Sequence, residues 1–187
     1  MGKYLGWLLA VVAASVVICQ TANAASLNGK VIEVNDGDEI TIFNLNRPVR
    51  IKLVGIDAPE KDQEFGPNAK QHLSDLVLDK VVTVEYSGIG NHSSLIGRVL
   101  LNDIDISAQM VRDGAAWFDP NHSRLTDLQR EIYSECEQAA RREKRGIWQS
   151  ENAVAPWDFV KAEQLKKSSV PTTSLTPLQQ NKRKGTY

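Results

Sequence analysis

The stretch Asp36–Glu60, DGDEITIFNLNRPVRIKLVGIDAPE, decides how this chain folds. Two runs rich in β-branched and apolar residues, Glu39–Phe43 and Val49–Ile56, each carry acidic residues at one end. Asp36 and Asp38 flank Gly37 before the first run, and Asp57 and Glu60 follow the second. If the runs pair as an antiparallel hairpin, the start of one lies beside the end of the other. That pairing predicts that Asp38, Asp57 and Glu60 meet. Three carboxylates with no histidine or cysteine nearby suit a hard, oxygen-seeking cation such as Ca2+. Taken singly, Asp36-Gly37-Asp38 also reads as a turn and Asp57-Ala58-Pro59 as a strand end with solvated charge. The two together point to a cation site.

The second run also carries Arg50 and Lys52, on one face because strand side chains alternate with period two. A metal among carboxylates, with cations beside it on a rigid sheet, is what phosphodiester cleavage requires. The positive groups take up charge on the phosphate and a spare carboxylate handles water.

Outward from this stretch, Ser26–Asn35 reads as a preceding strand, and Val81–Tyr86 and Leu95–Leu101 as two more, five in all. Gly66-Pro67 places proline at a helix start, followed by Ala69, Leu73, Leu76 and Val77 at helical spacing. Asp105 is positioned to cap a short helix through Met110 and Val111, closed by Gly114. A longer helix is expected from near Ser123, with Leu125, Leu128, Ile132, Cys136 and Ala139 as its buried stripe. Arg141–Arg145 crowd its end, where cations suit the helix dipole, and Gly146 stops it. Five short strands interspersed with helices predict an α+β fold built on a five-stranded OB-type β-barrel. Trp148 and Trp157 read as packing residues that fasten the C-terminal segment. Asp36 reads as a turn residue, and alternation points Glu39 away from the face of Asp38.

Across these residues the chain resembles the staphylococcal nuclease-like (thermonuclease) family. The resemblance rests on D-G-D at Asp36–Asp38, G-I-D-A-P-E at Gly55–Glu60, G-P-x-A at Gly66–Ala69 and I-G-R at Ile96–Arg98. It continues with G-I-W at Gly146–Trp148 and P-W at Pro156–Trp157, in the family's order. It implies the barrel with three α-helices, and calcium held by Asp38, Asp57 and the backbone carbonyl of Ala58. Many relatives have threonine at that last position, a change that leaves a carbonyl ligand intact. It also implies Glu60 as the residue that positions or deprotonates the attacking water, and Arg98 as a contact to the phosphate. Trp117 and Phe118 fall where relatives offer aromatic rings to the nucleotide, and Trp117 reads equally as a core residue. Two departures stand out. The family's first phosphate-binding arginine is Lys52 here, which keeps the charge but loses the planar two-toothed grip. The tyrosine that commonly precedes the family's Gly-Arg is Ile96 here. Arg50, two residues before Lys52 on the same face, is either a substitute substrate contact or a surface charge. The resemblance implies a nuclease acting on DNA, with RNA as a second substrate and little sequence preference. The alternative is the same barrel with weak or absent catalysis, binding nucleic acid or a protein.

The N-terminus carries Lys3, an apolar run from Leu5 to Cys19 and then Ala22-Asn23-Ala24, the pattern of a secretory signal peptide. Cleavage after Ala24 predicts a secreted or periplasmic protein, not held in a membrane, whose nuclease-like domain spans residues 25–160. Only Cys136 follows that point, so an intrachain disulfide is excluded and Cys136 reads as a small core residue. Lys166–Tyr187 contains five cations and no acid, whereas Ala25–Leu165 has 16 cations against 23 acids. An acidic body argues against diffuse attraction to nucleic acid, so affinity has to come from a local cationic site. The segment 161–187, rich in Ser, Thr, Gln and Pro, reads as a disordered basic tail. A single domain without repeats is expected to act as a monomer.

Overall fold

The computed structural model describes residues 25–89 and 94–169. The predicted signal peptide and the tail from residue 170 onward lie outside the described residues. Strands β1 (Ala25–Asp36), β2 (Glu39–Asn44) and β3 (Arg47–Leu53) form an antiparallel meander. The β2–β3 turn places Leu45 and Asn46 both at positive φ, the backbone a two-residue hairpin connection requires. Register shifts after Val31 and after Val34 bend β1, as bulges do where a sheet must curl. Strand β5 (Val81–Ile89) pairs with β1, and β6 (Leu95–Leu101) pairs antiparallel with β5. The barrel closes where β6 also runs parallel to β3, with Ile51 opposite Leu95, Lys52 opposite Ile96 and Leu53 opposite Gly97. Two short additions flank the five long strands: β7 (Ile104–Asp105) pairs with the end of β6, and β4 (Ile56–Asp57) pairs with β8 (Trp117–Phe118). The expected α+β OB-type barrel is what forms.

Val31, Ile40, Ile42, Ile51, Val84 and Val99 fill the barrel, all fully buried. Helix α1 (Gly66–Val77) lays Ala69, Leu73 and Val77 against it. Helix α2 (Ile106–Arg112) starts as expected, with the Asp105 carboxylate accepting from the Ala108 N–H.

Helix α3 (Asp127–Arg142) begins later than the sequence reading placed it. Thr126 and Gln129 form a reciprocal cap, each side chain accepting the other's backbone N–H, and this sets the start. The buried positions are Tyr133, Cys136 and Ala140, while Leu128 and Ile132 of the expected stripe face outward.

The helix count is also corrected. There are four α-helices among the described residues, not three, with a 3-10 turn at Gly146–Gln149. The fourth, α4 (Pro156–Ser169), extends nine residues into the segment expected to be disordered. Proline opens it and Lys161-Ala162-Glu163-Gln164-Leu165 are strong helix formers, a local preference that the composition of the whole tail conceals.

Candidate active site

Small residues bring the motifs together. A β-carbon on Gly37 would lie 2.6 Å from the Ala58 Cβ and 2.9 Å from the Ala69 Cβ, so the D-G-D turn seats directly on the two alanines of the other motifs. The Gly37 N–H bonds to the Asp36 side chain at 2.8 Å, the turn role expected of Asp36. A β-carbon on Gly66 would reach within 2.0 Å of the Glu60 carbonyl oxygen, so only glycine lets α1 start this close to the loop that carries Glu60. Gln63 ties that loop down: its side chain accepts from the Glu60 N–H and donates to the Val154 carbonyl.

At the centre lie Asp38, Lys52 and Asp57. The Lys52 Nζ is 2.6 Å from Asp38 Oδ2 and 3.4 Å from Asp57 Oδ1. Asp38 is nearly fully buried, and its Oδ2 also accepts the Ala58 N–H at 2.9 Å. Burial opposes the charge on Lys52, but Asp38 and then Asp57 outweigh it and hold the ammonium pKa above its ordinary value. The Asp57 carboxyl is pushed up to about 7, by burial first and by the Asp38 charge, against the pull of Lys52. Glu60, on the loop that Gln63 ties down, is not among the residues lining the cleft into which Asp38 and Asp57 open; its pKa is raised by burial first, with Asp36 and Asp38 adding and Lys52 opposing.

The carboxylates open into a cleft of about 930 Å3, lined on this side by Asp36, Asp38, Glu39, Lys52 and Asp57. The facing wall is the loop Asp119–Arg124. Arg130 of α3 clamps it, donating to the carbonyls of Pro120, His122 and Leu125, and the Asp119 N–H bonds to the Gly55 carbonyl. Arg124 and His122 both line the cleft, and the His122 Nδ1 accepts the Arg124 N–H at 3.4 Å. Burial foremost, helped by Arg124, Arg130 and Lys52, lowers the His122 pKa against Asp119, which favours the neutral ring.

Several expected site residues are placed elsewhere. Arg98 donates to Asp105 at 2.7 Å and to Glu85 at 3.4 Å, and is not among the residues lining the cleft. Tyr133 joins the same cluster through its hydroxyl on Asp105 at 2.9 Å, so Arg98 ties β5 and β6 to the start of α2 and to α3. Arg50 is bonded to Glu39 at 2.5 Å and also stays out of the cleft. Glu39 itself borders the cleft, its carboxylate paired with Arg50.

Trp117 and Phe118 are buried packing residues, not open platforms. Trp117 meets Trp148 edge to face at 5.1 Å and Phe118 meets Tyr133 at 6.1 Å. Trp148 packs as expected, with the Arg141 guanidinium 3.6 Å above it. Trp157, expected to pack, is half exposed and lines the cleft. His122 and Arg124 carried no motif that would have marked them; their placement depends on the loop geometry that Arg130 imposes.

Asp38 and Asp57 reach one common cation, the Lys52 ammonium, so their oxygens converge on a single position. An all-oxygen set of this kind fits a hard divalent ion such as calcium, which also accepts carbonyl and water ligands. Among the described residues, however, no three Asp, Glu, His or Cys side chains cluster closely enough to form a metal cage by themselves. Any ion there would have to displace the Lys52 ammonium from between the two carboxylates.

Residues 50–150 match the family profile described as staphylococcal nuclease homologue. A Shigella flexneri protein named micrococcal nuclease is 34% identical over 171 residues, covering 87% of this chain and 97% of that protein. An uncharacterized endonuclease of Escherichia coli O157:H7 is 37% identical over 134 residues, 71% of this chain and 84% of the relative. Protein ParB of Escherichia coli is 34% identical over 161 residues, 81% and 89% of the two chains. With the barrel, the converging carboxylates and these matches in hand, the chain belongs to the staphylococcal nuclease homologue family.

Proposed function

We propose that the protein is a calcium-supported nuclease that hydrolyses phosphodiester bonds of DNA, and of RNA as a second substrate, with little sequence preference. The observation that carries this reading is the convergence of Asp38 and Asp57 on one cation position at the floor of the cleft, with Lys52 between them and Arg124 on the facing wall. Asp38 and Asp57, with the Ala58 carbonyl that the family supplies, are the residues that would hold calcium. A divalent ion held there would supply Lewis-acid chemistry to the phosphate.

The chain's own groups do the rest. Glu60, with its pKa raised, accepts a proton from water near neutral pH more readily than an ordinary carboxylate does. Lys52 and Arg124 offer positive charge to the phosphate oxygens, where charge grows in the transition state. Arg98, engaged by Asp105 and Glu85, acts as a positioning residue for the barrel wall. The protein is read as exported, with cleavage after Ala24, on the basic Lys3, the apolar run from Leu5 to Cys19 and the Ala22-Asn23-Ala24 end. Mass measurement of the exported chain tests this.

A second reading, a weakly catalytic binding module, is favoured by one observation. Each of the three expected phosphate cations, Arg50, Lys52 and Arg98, has a carboxylate partner. Cleavage of DNA by the purified protein, with calcium or with chelator, separates the two readings. Calcium-dependent cleavage that is lost in Glu60→Gln and increased in Lys52→Arg supports the enzyme. No cleavage by either the native protein or Lys52→Arg supports the binder.

A further inference from the structure

The rim of the cleft carries an aromatic ring that the phosphate chemistry does not use. Trp157, the second residue of α4, is 44% exposed and lines the same cleft as Asp38, Lys52 and Asp57. The other two tryptophans among the described residues are committed: Trp117 is buried against Trp148, and Trp148 lies beneath Arg141. Helix α4 follows the residues that the family profile matches, which end at 150. A single exposed apolar side chain on a convex surface calls for no explanation. Trp157 differs because it shares a concavity with the phosphodiester site. The indole also sits where α4 has little of its own to bury: Lys161, Ala162, Gln164 and Leu165 are all exposed.

We propose that Trp157 is the base-stacking platform of the substrate cleft. It would receive a nucleobase of the strand whose phosphate lies at the Asp38–Lys52–Asp57 floor. This rests on the nuclease reading of the cleft and specifies its substrate. Every nucleobase has a π-face, so stacking on an indole tolerates any sequence. Bases in a duplex already have both faces stacked and present only their edges in the grooves, so a ring of this kind takes bases that are unpaired. Trp157 therefore directs the cleft toward single-stranded nucleic acid, or toward frayed ends, over intact duplex. A cleft of about 930 Å3 has room for a nucleotide with its base.

The test measures binding without turnover, in the full chain carrying Glu60→Gln, with calcium present and salt held constant. A fluorescent oligo-dT strand and a duplex of equal length serve as probes. The proposal expects the single strand to bind more tightly than the duplex. Adding Trp157→Ala raises the single-strand Kd by about tenfold or more, Trp157→Phe retains most of the affinity, and duplex affinity does not change. If Trp157→Ala binds the single strand as tightly as its parent, the platform is overturned while the nuclease reading stands. An equal loss for single strand and duplex also overturns it, because that pattern reports general damage to the cleft. If the Glu60→Gln parent binds neither probe, the reading of the cleft itself fails, and the platform with it.

Discussion

Replacing Gly37 by alanine tests whether the D-G-D turn is held by the contact that brings the site together. The added methyl would sit 2.6 Å from the Ala58 Cβ and 2.9 Å from the Ala69 Cβ. Carbon atoms in contact normally lie about 3.5–4.0 Å apart, so the segments must part by roughly 1 Å. Neither neighbour can rotate away, since a β-carbon moves only with its backbone. Overpacking of this kind costs about 1–3 kcal/mol. The same parting pulls on the 2.9 Å bond from the Ala58 N–H to Asp38, so the carboxylate floor loosens with it.

Urea unfolding of the purified native and Gly37→Ala proteins measures the effect; the variant is expected to lose about 2 kcal/mol, near the middle of that range. Ala58→Gly in the same chain removes the nearer of the two clashes, so the double variant should be more stable than the sum of the single changes by about 1 kcal/mol. A Gly37→Ala protein within about 0.5 kcal/mol of native, as for an ordinary surface substitution, would refute the reasoning.

Three further outcomes are expected. Tyr133→Phe removes the hydroxyl bond to Asp105 from a fully buried ring, at a cost of about 2 kcal/mol in the same unfolding measurement, as for a bond to a charged group. Asp57 gives a pH signature: its folded pKa of about 7 lies above the unfolded value. Its stabilising contribution is therefore complete below the unfolded pKa of about 4 and is lost as pH rises through about 7. Relative to Asp57→Asn, the native protein should lose roughly 1–2 kcal/mol across that window, a figure reduced for the partial solvent access of the side chain. Finally, Lys52→Ala frees the two carboxylates from their shared ammonium, so calcium should raise the Tm of this variant more than that of the native protein, as differential scanning fluorimetry would show.

The barrel and the carboxylate floor were legible in the sequence because both depend on local patterns. Alternation marked the strands, and Asp38 and Asp57 fell at hairpin ends whose pairing dictates proximity. What misled was geometry set at long range. Tyr133 was missed and Leu128 misplaced because the buried face of α3 is chosen by its partners, Asp105 and Phe118, which meet Tyr133. Arg98 occupies the expected strand position, and its pairing with Asp105 on β7 and Glu85 on β5 had no local sequence signal. Trp117 took the core alternative, and Trp157, read as a packing residue, is exposed at the cleft. The β4–β8 pairing draws Trp117 inward, whereas α4, concealed by the composition of the tail, carries Trp157 to the cleft. Arg124 and His122 belong to a loop with no sequence signature, shaped by Arg130 in the first turn of the helix that follows it.

The most direct measurement is the initial rate of hydrolysis of a single-stranded oligonucleotide, with saturating calcium, by the native protein and by Asp38→Asn. If Asp38 and Asp57 form the cation floor of a nuclease, the native protein cleaves and the variant, still folded, loses about 100-fold or more. A native protein that leaves the strand intact, or an Asp38→Asn protein that cuts as fast as native, would contradict the account.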